Sequence, residues 1–193
     1  MTHLAGIENT TNSVARLSGL LRIIASDDDH DEVGRAAKFA LSAIVASGSR
    51  IDFGGRRLSL AARDTVSAAA MSVVGAAVNR GKLRRSTMVV IAEIADLAIS
   101  LSSGEGASRH VSGNLDAAPS GWRGREGGPF KSENALGLPC KITRRPDTPG
   151  GSWCLYVSGV PLCGAQTPRE AAMKSDKFAV LLSTGRALST VAA

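Results

Sequence analysis

The sequence predicts an α+β fold, with an N-terminal α-helical bundle followed by a small C-terminal three-stranded antiparallel sheet and one packed helix. Three observations predict it. Residues 10–102 carry apolar side chains at helical spacing in four successive runs. Residues 103–138 lose that period and fill with Gly, Ser, Pro and Asn, the composition of a linker. Residues 139–187 turn to alternating apolar spacing and then back to helical spacing. A chain of 193 residues has room for one or two domains. Its hydrophobic fraction is 44% but aromatics make up only 4%, so the core must be built from Ala, Val, Leu and Ile.

Residues 1–10 read as a loose terminus. Asn12 or Ser13 can cap a first helix through Ala25, with Val14, Leu17, Leu21 and Ile24 on one stripe. The acidic run Ser26 to Glu32 precedes a second helix over about Asp31–Ser47 and suits its positive N-terminal end. Val33, Ala37, Ala40, Leu41 and Ile44 face inward there, and Gly48 is the stop. Arg50 to Leu60 is a short hairpin or loop around Gly54-Gly55. A third helix spans about Ala61–Asn79, with Ala68, Ser72, Gly75 and Ala76 forming a small-residue face for close packing. The basic turn Arg80 to Arg85 leads to a fourth helix over about Ser86–Ser102, with Val90, Ile94, Leu97 and Leu101 inward. This region has more small and apolar surface than four helices can bury among themselves, so it is expected to mediate self-association into a homo-oligomer or binding of a partner.

The C-terminal unit is the most specified stretch. Cys140 to Arg145 forms a first strand with Cys140 and Ile142 inward and Lys141, Thr143 and Arg145 outward. Ser158-Gly159 is a two-residue turn between two further strands. The expected register sets Val157 against Val160 and Leu155 against Leu162, with Trp153 on the same face. Cys154 then lies opposite Cys163, on the face shared with Tyr156 and Pro161. Pro161 has no N–H to give a ladder, which makes its strand an edge. Thr167, Pro168 and Glu170 form a capping box for the last helix. Ala171, Ser175, Phe178, Ala179 and Leu182 are its core stripe, and Gly185 is its stop.

These residues carry a resemblance. Trp153, Tyr156-Val157, Gly159 and Gly164, followed by Thr167-x-x-Glu170-Ala171-Ala172-x-x-x-Asp176-x-x-Ala179-x-x-Leu182, resemble the ethylene-response-factor type of DNA-binding domain and the arm-binding domains of phage integrases. Lys141 to Arg145 sits where that family has its basic first strand. The likeness covers about a quarter of the chain and implies three strands, a packed helix and contact with nucleic acid, DNA ahead of RNA. Residues 153–166 carry no charge, whereas the family places DNA-contacting arginines there.

Charge points the same way. Residues 1–105 have 12 Lys+Arg and 11 Asp+Glu, while residues 106–193 have 11 and 6, so nearly all of the +6 net charge lies in the second half. Lys141, Arg144 and Arg145 are the candidate contacts, with Arg123 and Arg125 of the Gly-Trp-Arg-Gly-Arg segment next. All five would act chiefly by neutralising phosphates. Trp153 belongs to the core and is not a base-stacking surface. The competing reading is a structural or protein-interaction module of viral or mobile-element origin, docking through Tyr156 and its neighbours.

Nothing in the sequence supports an enzyme. His3, His30 and His110 stand beside no nucleophile in a known motif, and there is no phosphate-cradling glycine motif. Three cysteines without Cys-x-x-Cys spacing make no metal or cofactor site. Without a signal-peptide pattern or an apolar run of membrane-spanning length, a cytoplasmic protein with no membrane partner is expected.

Overall fold

One helix is buried on every side along its middle, and three others pack around it. In the computed structural model, which describes residues 5–26, 32–48, 59–103, 117–145 and 153–191, this is α3 (Leu60–Arg80). Ala68, Ala69, Ala70, Met71, Val73, Val74 and Ala77 are fully buried, so the apolar residues wrap the whole circumference rather than forming one stripe. Ser59 caps its start by accepting from the Ala62 N–H at 3.2 Å, and Gly81, with φ at 74°, ends it. Around α3 lie α2 (Glu32–Gly48), α4 (Arg85–Ser103) and α5 (Pro168–Val191), while α1 (Ala5–Ser26) packs on α2 and α4. Leu17, Leu21 and Ile24 of α1 are buried as their spacing predicts. Helix α1 begins at Ala5, so the loose terminus expected over residues 1–10 is corrected for its second half, and Asn12 and Ser13 lie inside the helix rather than capping it. The Gly54-Gly55 segment and most of the acidic run lie outside the described residues.

The sheet has four strands, not three. They run β1 (Phe130–Glu133), β2 (Pro139–Arg144), β3 (Trp153–Val157) and β4 (Val160–Ala165), antiparallel and in sequence order. Strand β1 lies inside the stretch 103–138 expected to be linker. It is four residues long, and Phe130 is its only large apolar side chain, too little for a period to show in the sequence. The β1–β2 turn is held by Asn134, whose Oδ1 accepts from the Leu136 and Leu138 N–H groups at 3.0 and 3.1 Å, with Gly137 at φ 70°.

The hairpin β3–β4 turns at Ser158 (φ 49°) and Gly159 (φ 84°), a type I′ pattern, and Val157 pairs with Val160 as expected. Beyond Pro161 the register shifts. Leu155 pairs with Cys163 and Cys154 with Gly164, leaving Leu162 as the extra residue of a bulge. The cysteines are therefore not opposite each other. Pro161 offers no N–H, so a ladder bond is missing beside the bulge. β4 is the edge strand that Pro161 implied, with α4 packed against it.

On the inner face Phe130, Ile142 and Leu155 align across three strands, and Cys140, Val157 and Val160 form the next row. Helix α5 packs on this face, and Ala171, Ser175, Phe178, Ala179 and Leu182 are all buried, Ser175 against Cys140 and Leu182 against Gly75 of α3. The Cys140 Sγ lies 3.4 Å from the Ser175 Oγ, and Trp153 stacks on Phe130 with ring centroids 5.6 Å apart. The Thr167 Oγ1 accepts from the Glu170 N–H, but the Glu170 carboxylate takes the Gln166 N–H rather than that of Thr167. Gly185 does not stop α5, which continues to Val191. It is the point where α5 crosses α3, and a Cβ there would drive into the Ala68 carbonyl oxygen. At Gly75 a Cβ would meet Leu182. The small-residue face of α3 is thus covered from within the chain, and helices and sheet share one hydrophobic core.

Candidate nucleic-acid interface

Pairing across the sheet decides what its outer face presents. Residues that pair laterally point to the same side. Lys131 pairs with Lys141, Lys141 with Tyr156, and Tyr156 with Pro161. A bridge adds Arg123, whose N–H donates to the Lys131 carbonyl at 2.9 Å while the Lys131 N–H donates back at 2.8 Å. One row therefore reads Arg123, Lys131, Lys141, Tyr156, Pro161, on the side opposite the Phe130–Ile142–Leu155 core row. Arg123, Lys131 and Lys141 are exposed, and with Tyr156 they line a shallow groove across the sheet.

The glycine-rich segment builds the outer end of this row. Gly128 donates to the Arg125 carbonyl and Gly127 sits at φ 67°, which folds residues 125–128 into a turn. Gly124 passes so close to the Pro129 carbonyl and the Phe130 ring that a Cβ would not fit. Residues 121–131, part of the stretch expected to be linker, form a paired edge that fixes Arg123.

The five cations expected from the sequence separate. Arg123 and Lys141 share the row. Arg145 adjoins it, its Nη1 donating to the Tyr156 hydroxyl at 2.6 Å. Arg144 belongs to the inner parity with Ile142, pairs with Trp153, and lays its guanidinium 5.8 Å from the centroid of that ring. Arg125 is exposed on the 125–128 turn, outside the groove lining. Lys131 is the cation that spacing alone does not single out. The signal that could find it is the alternation Phe130-Lys131-Ser132-Glu133 ahead of a turn-forming Asn134-x-x-Gly137.

Among the described residues, no ion pair engages Arg123, Lys131 or Lys141. Glu133 is the one acidic residue lining the groove among the described residues, beside Pro139 in the neighbouring row. Trp153 is 1% exposed and belongs to the core, as expected.

A second polar cluster ties elements together. The Lys174 Nζ on α5 donates to the Gly164 carbonyl at 2.6 Å and pairs with Glu170 at 3.2 Å and with Asp96 of α4 at 3.5 Å. Burial opposes its charge, but the Asp96 and Glu170 carboxylates paired with it hold its pKa above the ordinary value. Burial pushes the Cys163 thiol far up and the Cys140 thiol up as well, so both stay neutral. Among the described residues, no group of His, Cys, Asp and Glu could hold a metal ion, and no helix is long and apolar enough to cross a membrane. His3, His30 and His110 lie outside the described residues. No protein-family model, curated protein or solved structure matches this chain.

Proposed function

We propose that this chain is a nucleic-acid-binding protein that uses the outer face of its sheet, with Arg123, Lys131 and Lys141 as the principal phosphate contacts and Arg145 beside them. The carrying observation is the lateral register, which brings three cations from separate segments into one exposed row. Among the described residues, four cations against the single carboxylate of Glu133 make the face electropositive, and such a face attracts a polyanion whatever its sequence. The basic excess of the second half of the chain supports the same reading. DNA is put ahead of RNA on the resemblance of this unit to DNA-binding domains. The helical elements serve as the platform, since α5 and α4 back the sheet and hold it to the bundle.

A gel shift at low salt with single- and double-stranded DNA and RNA tests the reading. It expects binding to one or more of the four, weakening steeply as salt is raised. No shift with any of them would overturn it.

A further inference from the structure

We infer that, given the nucleic-acid reading above, the sheet face takes a single strand in preference to a duplex, with Tyr156 as the platform for an unstacked base. The row changes along its length. Three cations, Arg123, Lys131 and Lys141, are followed by an aromatic ring and then by Pro161. With strands about 4.8 Å apart, the four steps of this row span roughly 19 Å, enough for several phosphates and a base beside them. Tyr156 is the only tyrosine in the chain, and Trp153, three residues away, is buried with the core.

The ring is also held in place. Its hydroxyl accepts from Arg145 at 2.6 Å, so a further cation stands next to the aromatic end. Phosphates match the cationic end in either a duplex or a single strand. The aromatic end discriminates, because a duplex keeps its base faces inside the stack, whereas a single strand can lay a base on a ring. A duplex would therefore engage the lysines and arginines and leave Tyr156 and Pro161 without a complementary surface. Glu133 closes the neighbouring row to phosphate, so the strand is confined to the side on which Arg145 stands.

The test is fluorescence anisotropy of the full chain with short labelled single-stranded DNA, the same sequence as RNA, and the DNA duplex, all at one low salt concentration. The two single-stranded arms separate the two backbones. Tyr156→Leu keeps an apolar side chain on β3 and removes the ring, and circular dichroism checks that it is folded. It should weaken single-strand binding by about 5- to 150-fold, the range of one base stack removed, and leave duplex binding unchanged. Tyr156→Phe keeps the ring and should retain single-strand preference. Equal loss on both forms, no loss on either, or a wild type that prefers the duplex would overturn the inference while leaving nucleic-acid binding intact. A wild type that binds none of the probes would overturn both.

Discussion

Trp153 shows how one side chain can be assigned to the core or to a ligand by its row. It pairs with Arg144 and Ala165, stacks on Phe130, and is 1% exposed, while Tyr156 on the same strand points to the other side. Trp153→Ala should cost about 3–5 kcal/mol, read as a lower midpoint in urea, because it removes the largest buried side chain of the sheet. A variant of unchanged stability would contradict that placement. Gly185 makes a subtler case. Alanine is the better helix former by about 1 kcal/mol, yet here its methyl would meet the backbone of α3, which cannot swing aside. Gly185→Ala should therefore destabilise the protein, by about 1–3 kcal/mol. Stabilisation would mean that α3 and α5 are not so closely crossed.

The buried ionisable groups predict how stability depends on pH. A thiol whose folded pKa is raised keeps its proton when the unfolded chain has given it up, so stability falls as pH rises through the unfolded value, near 9.0. Lys174, with its folded pKa raised, contributes stability that is fully present below the ordinary 10.5 and is lost as pH rises through its folded value. All three effects share a sign. The melting temperature should hold steady up to about pH 8.5 and drop beyond it, and Cys140→Ala with Cys163→Ala should flatten the drop. An alkaline slope unaffected by the two substitutions would contradict this.

At the scale of elements, local signals are legible in the sequence and cross-element ones are not. The four bundle helices follow from spacing, though α1 starts before its expected cap at Asn12 or Ser13, and the Ser158-Gly159 turn and the Thr167 cap follow from their residues. Strand β1 escapes because its four residues bury one aromatic and its partner strand begins only after the five-residue turn Asn134-Ala135-Leu136-Gly137-Leu138, whose apolar residues blur the boundary. The bulge after Pro161 escapes because all of Leu162, Cys163 and Ala165 are apolar, so a one-residue slip leaves no polar residue misplaced to mark it. Gly185 reads as a stop because a glycine near a helix end and a glycine at a helix crossing look alike until the partner helix is known. The candidate site is half legible for the same reason. Lys141 and Arg145 follow from the parity of one strand, but Arg123 and Lys131 join them only through pairing with β1. Hydrogen exchange tests that pairing. The Arg123 and Lys131 amides, each bonded to the other's carbonyl, should exchange more slowly than the amides of Arg125 and Gly127 on the neighbouring turn, and equal fast exchange would remove the edge of the row.

Across the whole molecule, the core runs without a break from Leu17 and Leu21 of α1, through α3, to Leu155 of the sheet and Leu182 of α5. The small-residue face of α3 suggests a partner subunit when read from the sequence, and α5 supplies that cover from the same chain. The sheet is thereby fixed on a helical base with its cationic row turned outward. The measurement that tests this account most directly is the salt dependence of binding by the full chain and by the variant Arg123→Ala, Lys131→Ala, Lys141→Ala. Every phosphate that is no longer neutralised should flatten the slope of log K against log salt by about 0.7 on a single strand or about 0.9 on duplex DNA. The triple variant, still folded by circular dichroism, should thus bind all sequences more weakly and show a slope flatter by about 2 to 3. An unchanged slope in the folded variant would contradict the claim that this row is the binding surface.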